Sequence, residues 1–349
     1  MACAGIITFL HNNNFGSSLQ AYALQRTVRE LGYDCLHLDY QPDRKEKIRN
    51  LLTCGNNLKL VLEGMRKRGV QADQSGARVK SAAIPVFYEK HMQLSAPCRN
   101  QEELKEQSRN CDLLLCGSDQ IWNPEWLNPA YFLTFAESSK PRIAYAASMG
   151  VSCLPKEAKI RKIRSWTEGF RAISVREREG ADLLEKMTGR KAEVMPDPVC
   201  LLSREEWSAI AAEAPEGEPY LLCYFIGENA RYWKRVQALR QETGLRVLVL
   251  PVTAESYCCG YELLDGAGPE KFLGAVSHAA CFCTDSFHGL AFGKIFGIRT
   301  EVLRRYREDD PDSKNSRVDQ FLRLTKEKGL AELRTMGREW LEKALKNES

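Results

Sequence analysis

Residues 280–302 read ACFCTDSFHGLAFGKIFGIRTEV, and their pattern decides the fold. A short apolar run, Ala280–Cys283, has the length and composition of a buried strand. It breaks into Thr284-Asp285-Ser286, residue types that cap helix N-termini, and an apolar helical pattern over Phe287–Phe296 then stops at Gly297. A second strand follows at Thr300–Leu303. Strand, turn, helix and strand in that order form one unit of a parallel sheet. His288 falls in the first turn of the helix, at the carboxyl edge of the sheet, where backbone N–H groups and the positive end of the helix dipole attract an anion.

The same alternation runs outward in both directions. Strands are predicted at Gly5–Phe9, Asp34–Asp39, Asp112–Cys116, Arg142–Ala147, Ala172–Val175 and Ala192–Met195, with a helix over Ser18–Leu31. After the Pro/Gly/Glu stretch EAPEGEP the pattern restarts. It gives strands at Tyr220–Phe225, Arg246–Leu250 and Glu262–Leu264 and helices at Arg231–Thr243 and Lys271–Ser277. The class is therefore α/β, with two Rossmann-like domains facing across a cleft, where the carboxyl ends of both sheets meet and ligands bind. The expected division is 1–202, a linker over 203–218, and 219–349, the last helix being a candidate to return to the first domain.

Length and composition agree, since 349 residues with 44% apolar content suffice for two cores. Fifty basic against forty-six acidic residues leave a net charge of +4, too little concentrated charge for a nucleic-acid binder. Thirteen cysteines, an odd number in a long chain, read as reduced thiols. With no secretory leader and no run of bilayer-spanning length, a cytoplasmic bacterial enzyme is expected. Residues 44–80 carry ten basic and three acidic residues among apolar stretches. They are a candidate for peripheral contact with the inner membrane face or a lipid-linked substrate, weighed against the plainer reading of solvated helices.

Several strand ends carry groups suited to chemistry. An imidazole at position 288 beside a bound anion suits a general acid, whereas His11, His37, His91 and His278 read as structural. Arg176, emerging after the buried strand AISV, can clamp a carboxylate or phosphate; its bland alternative is a salt bridge to Glu177 or Glu179. Arg317 opens a later helix and is a second clamp. On the first sheet, Asn14 and Ser17 follow the first strand, and Ser118, Asp119, Gln120 and Trp122 follow the strand DLLLC. Polar groups beside an aromatic suit a sugar, although capping and core packing also explain them. A zinc site of His278, Cys281, Cys283 and His288 is disfavoured, because two of the four lie on a buried strand rather than in a tight turn. No dinucleotide fingerprint is present; GAGPEK lacks the third glycine.

Nine motifs together resemble the polysaccharide pyruvyl transferase family. They are NNNFGSSLQAYALQRTVRELGY from residue 12, LLCGSDQIWNP from 114, YFLTF from 131, RIAYAASMG from 142, SVREREG from 174, MPDPVCLL from 195, GPEKFLGAVSHA from 268, TDSFHGLAFGKIFGI from 284 and NSRVDQFL from 315. The resemblance implies a glycosyltransferase-B-like fold and transfer of pyruvate, as a ketal, from phosphoenolpyruvate to a sugar of a cell-surface or exopolysaccharide glycan. It implies His288 and Arg176 as catalytic residues. Ser286, Phe287, Gly289 and Arg317 would bind the donor, with backbone N–H groups of 286–289 on a phosphate oxygen, and the polar groups of the first domain would face the acceptor. No metal or cofactor is required, because fixed positive groups can neutralise the donor. Some family members carry arginine where this chain has Ser286, so that donor contact is either missing or supplied elsewhere, with Arg304 and Arg305 as the candidates. A nucleotide-sugar-dependent glycosyltransferase and a non-catalytic glycan-binding homologue are the competing readings.

Overall fold

The computed structural model describes residues 1–12, 14–56, 75–305 and 316–347. In its first part β1 (Cys3–Ile7), α1 (Phe15–Glu30), β2 (Asp34–His37), α2 (Arg44–Cys54), α3 (Ser75–His91), α4 (Gln101–Gln107), β3 (Leu113–Cys116), β4 (Arg142–Ala147), α5 (Glu157–Thr167), β5 (Phe170–Val175), α6 (Arg178–Thr188) and β6 (Glu193–Val194) follow in order. Then α7 (Arg204–Ser208) leads into β7 (Tyr220–Tyr224), α8 (Ala230–Thr243), β8 (Arg246–Val249), α9 (Ala254–Tyr257), β9 (Glu262–Leu263), α10 (Pro269–Ser277), β10 (Cys281–Thr284), α11 (Phe287–Phe296) and β11 (Thr300–Val302). The chain closes with α12 (Ser316–Glu327) and α13 (Gly329–Lys346).

Two parallel sheets result, ordered β2-β1-β3-β4-β5-β6 and β11-β10-β7-β8-β9. Parallel strands are covered on both faces, which is why runs such as Leu113–Cys116 and Cys281–Cys283 are apolar throughout and buried at every position. In each sheet the order reverses once, between β1 and β3 and between β7 and β10. The loops leaving those strands diverge there and open a crevice at the carboxyl edge. Observed strands differ from the predicted ones only at their ends. The first begins and ends two residues earlier than expected, because Thr8 leaves the ladder to donate its hydroxyl to the Ser118 carbonyl at 3.0 Å.

An apolar seam joins the two units. Phe15 of α1 stacks on Phe272 of α10 with centroids 5.3 Å apart, and Trp207 of α7 packs between Tyr22 at 5.8 Å and Phe292 at 5.0 Å. Residues 203–218 therefore begin with an anchored helix, whose capping box pairs Ser203 with Glu206. The last helix packs on the first unit, where Trp340, Leu341 and Leu345 join a core with Ala4, Ile6, Leu24 and Tyr145. Arg171 donates to the Ala344 carbonyl at 2.8 Å, satisfying a C-terminal acceptor of α13. The cysteines are free, and those on the strands are mostly buried; burial pushes thiols such as Cys35 up, to about 12. No helix among the described residues is long and apolar enough to cross a membrane.

Candidate functional site

Both strand-order reversals face one cluster of buried charge. β5 ends in Arg176 and Glu177, the turn after β6 supplies Asp197, the loop after β3 supplies Asp119, and α11 supplies His288, all nearly or fully buried. Arg176 donates through Nη1 to Asp197 Oδ2 at 2.5 Å and through Nε to Glu177 Oε1 at 3.2 Å, while its guanidinium lies 4.5 Å from the centre of the Phe287 ring. Glu177 also accepts from the Ser148 hydroxyl at 2.6 Å. The salt bridge foreseen as the bland alternative therefore exists, to Glu177, and it leaves Nη2 unused.

Burial alone would raise the Asp197 carboxyl. His288 and Arg176, with a backbone N–H bond from Val199, outweigh it and hold that carboxyl well below the ordinary range. For Arg176 burial works against the charge, and Asp197, Glu177 and Asp119 more than compensate, raising its pKa. Arg317 behaves oppositely. Burial first, then the like charge of Arg176, push its guanidinium down to about 10 against the pull of Glu177 and Asp119.

Three buried nitrogens in this cluster lack a hydrogen-bond partner: Arg176 Nη2, Arg317 Nε and His288 Nε2. His288 Nε2 is 3.4 Å from Asp197 Oδ2, near enough for attraction but not aligned as a hydrogen bond. Its ring is pressed against the start of α1. A Cβ placed on Gly16 would lie 2.2 Å from the imidazole Cγ and Nδ1, so only glycine fits there. Buried unsatisfied nitrogens are costly, and three of them on cationic or protonatable side chains form a cradle for an anion.

Around α11 the cap uses part of what the sequence offers a ligand. Ser286 accepts the Gly289 N–H at 3.2 Å and its own N–H goes to Thr284 Oγ1 at 3.1 Å. The expectation that the N–H groups of 286–289 all receive phosphate is corrected accordingly: those of Ser286 and Gly289 are committed to the cap, leaving Phe287 and His288. Asp285 turns back to accept from the N–H groups of Ile226 and Gly227 at 2.7 and 2.8 Å and from Arg305 Nε at 3.0 Å. Arg304 pairs with Asp319 at the surface. Both arginines considered as substitutes near Ser286 thus have carboxylate partners.

On the first sheet, Ser17 donates to Asp119 at 2.5 Å and receives from Asn12 at 2.8 Å. Asp119 sits in the left-handed region at φ 68, unusual outside glycine and here beside the charge cluster. Gln120 is half-buried, its amide against Gly150 and Asn123. Three other expected acceptor residues serve the architecture. Asn14 caps α1 through the Gly16 N–H, and Ser118 is fully buried with its hydroxyl on the Ala146 carbonyl. Trp122, expected as an aromatic platform, is corrected to a core residue: it is 0% exposed and stacks on Phe132 at 4.9 Å and 5°, so it presents no face to a sugar. Conversely, half-exposed His11 sits 2.5 Å from the buried Asp39 at the same sheet edge, a pairing its reading as structural did not foresee.

The sequence profile of the polysaccharide pyruvyl transferase family matches residues 14–303. The chain belongs to that family. Among curated proteins none matches it by sequence. Solved structures share the fold at low identity. UDP-N-acetylglucosamine 2-epimerase from Rickettsia bellii superposes with a TM-score of 0.52 at 10% identity, covering 100% of this chain and 96% of its own. The UDP-GlcNAc 2-epimerase from Neisseria meningitidis, bound to UDP-GlcNAc, gives 0.51 at 9%, covering 99% and 100%. The S. aureus MnaA–UDP structure gives 0.50 at 10%, covering 100% and 98%. These neighbours place this pyruvyl transferase family member in the glycosyltransferase-B-like fold, with two Rossmann-like domains.

Proposed function

We propose that this protein transfers pyruvate from phosphoenolpyruvate to two hydroxyls of a glycan sugar, forming a cyclic ketal and releasing phosphate. The observation that carries the reading is the convergence of three buried nitrogens with no hydrogen-bond partner, on Arg176, Arg317 and His288. A small donor with a carboxylate and a phosphate satisfies all three. Arg176 and Arg317 hold its anionic groups, and the like charges that oppose each other without ligand become complementary to it.

The atoms balance as follows. His288 gives a proton to the methylene carbon, which becomes methyl, while the adjacent carbon takes on oxocarbenium character. One sugar hydroxyl adds there, the bond to the phosphate oxygen breaks, and the second hydroxyl closes the ring. Of the two hydroxyl protons lost, one restores that given by His288 and the other leaves with phosphate. Ser17, Asp119 and Gln120 are the groups we place toward the acceptor, a sugar or lipid-linked glycan.

The test has two arms. Phosphoenolpyruvate should raise the melting temperature, since a ligand at 100 times its Kd adds about 2.7 kcal/mol, and candidate glycans should then elicit phosphate release. A melting shift with nucleotide sugars alone would instead favour a glycosyltransferase; a shift with phosphoenolpyruvate but an output indifferent to loss of His288 would favour a non-catalytic glycan-binding role. Arg317→Gln should separate binding from stability. Relieved of a like charge beside Arg176, the free protein should melt no lower than the parent. Its affinity for phosphoenolpyruvate, read by titration calorimetry, should fall by about 10–150-fold, the equivalent of one charged hydrogen bond of ~1.5–3 kcal/mol.

A further inference from the structure

α2 is built inside out. Its inward face carries Glu46, Asn50 and Cys54, with Glu46 and Asn50 both 3.4 Å from the Tyr40 hydroxyl. Its outward face carries Ile48, 47% exposed, and Leu52, 76% exposed, one turn apart. An amphipathic helix of a globular domain does the reverse, and exposed large apolar residues grouped on one element mark an interaction surface.

Around those two side chains Arg44, Lys45, Lys47 and Arg49 are exposed. Lys159 and Lys162 of α5 lie close enough to the end of α2 for their charges to act on the Cys54 thiol. Acidic groups here are few and mostly engaged: Asp43 caps α2, Glu46 is buried and pairs with Arg49 at 3.1 Å, and Glu102 lies 3.9 Å from Arg49. Apolar side chains flanked by a basic rim match a surface that is anionic at its face and hydrocarbon beneath, whereas a solvated helix needs no outward Ile and Leu. α2 also starts five residues after Asp39, at the carboxyl edge of the first sheet.

We infer that the outward face of α2 docks on an anionic lipid bilayer, inserting Ile48 and Leu52 between headgroups held by the surrounding lysines and arginines. Residues 57–74 of the 44–80 region lie outside the described residues and take no part in the inference. The consequence for the proposed reaction is positional: docking sets the edge that carries Ser17 and Asp119 toward a membrane-borne glycan. The docking itself depends only on α2.

Co-sedimentation of the full chain with vesicles tests this without any glycan. Binding is expected to vesicles of phosphatidylcholine mixed with phosphatidylglycerol, not to phosphatidylcholine alone, and should weaken as salt rises from about 0.1 M to about 1 M. Lys45→Glu with Lys47→Glu should reduce binding at least about twentyfold, each basic residue contributing about fivefold at an anionic surface. Ile48→Asp with Leu52→Asp should abolish it, while Val86→Asp, at an exposed apolar position elsewhere, should leave it unchanged. Equal melting temperatures of the variants, with and without phosphoenolpyruvate, establish that they fold. Equal binding to neutral and anionic vesicles, no vesicle binding, undiminished binding by the Ile48/Leu52 variant, or self-association lost in that variant without vesicle binding would each overturn it. Failure of phosphate release would bear on the proposed reaction alone.

Discussion

Asp197→Asn is expected to cost about 3–5 kcal/mol of folding stability, the loss typical when one partner of a buried ion pair is removed. The carboxylate is 0% exposed at its side chain and serves Arg176 Nη1, the Val199 N–H and the field around His288. An amide keeps the volume but leaves a buried guanidinium with Glu177 as its remaining close carboxylate. Urea denaturation should show the midpoint falling. The pH dependence has a defined sign. A carboxylate held below its unfolded pKa of about 3.9 adds stability at every pH above that value and loses it as pH falls through the folded pKa. The gap between parent and variant should therefore be constant above about pH 5 and close in stronger acid. A constant gap down to about pH 2 would mean that folding does not lower the Asp197 pKa, and a gap that narrows as pH rises above about 4 would mean that the carboxyl is neutral in the folded protein.

Gly16→Ala should disable the site without replacing an ionisable group. In a helix this exchange ordinarily stabilises by about 0.5–1 kcal/mol, but here the added carbon lands 2.2 Å from the His288 ring. Either the imidazole turns away or α1 and α11 separate. Proton transfer by a positioned side chain contributes roughly 10²–10⁴-fold, so phosphate release should fall by that order, matching His288→Ala. The two differ in stability: His288→Ala should fold normally, while Gly16→Ala should also melt lower. Retention of full turnover by either variant would remove His288 from the reaction.

The strands and helices were legible because each is written in local pattern: doubly covered strands are apolar throughout, and caps such as Ser286 and terminators such as Gly297 sit where backbone groups demand them. His288 and Arg176 were legible for the same reason, as residues at strand ends. What local pattern does not carry is who meets whom. Asp197 precedes a proline and caps a short turn through Val199, so its sequence reads as punctuation, and only the approach of α11 makes it the hub of the charge cluster. Gly16 reads as a flexible turn residue, although its role is to let a ring from the other unit come close. Trp122 and Phe132 lie ten residues apart, and nothing in that spacing distinguishes a stacked core pair from an exposed platform.

The position of α13 has a consequence for biogenesis. Trp340, Leu341 and Leu345 complete a core whose other members include Ala4 and Ile6, so β1 waits for α13, made much later, to emerge. The amino-terminal unit cannot mature while the ribosome is still making the carboxyl-terminal one, and a fragment ended near residue 202 would expose the sheet face that α13 shields, inviting aggregation in place of autonomous folding.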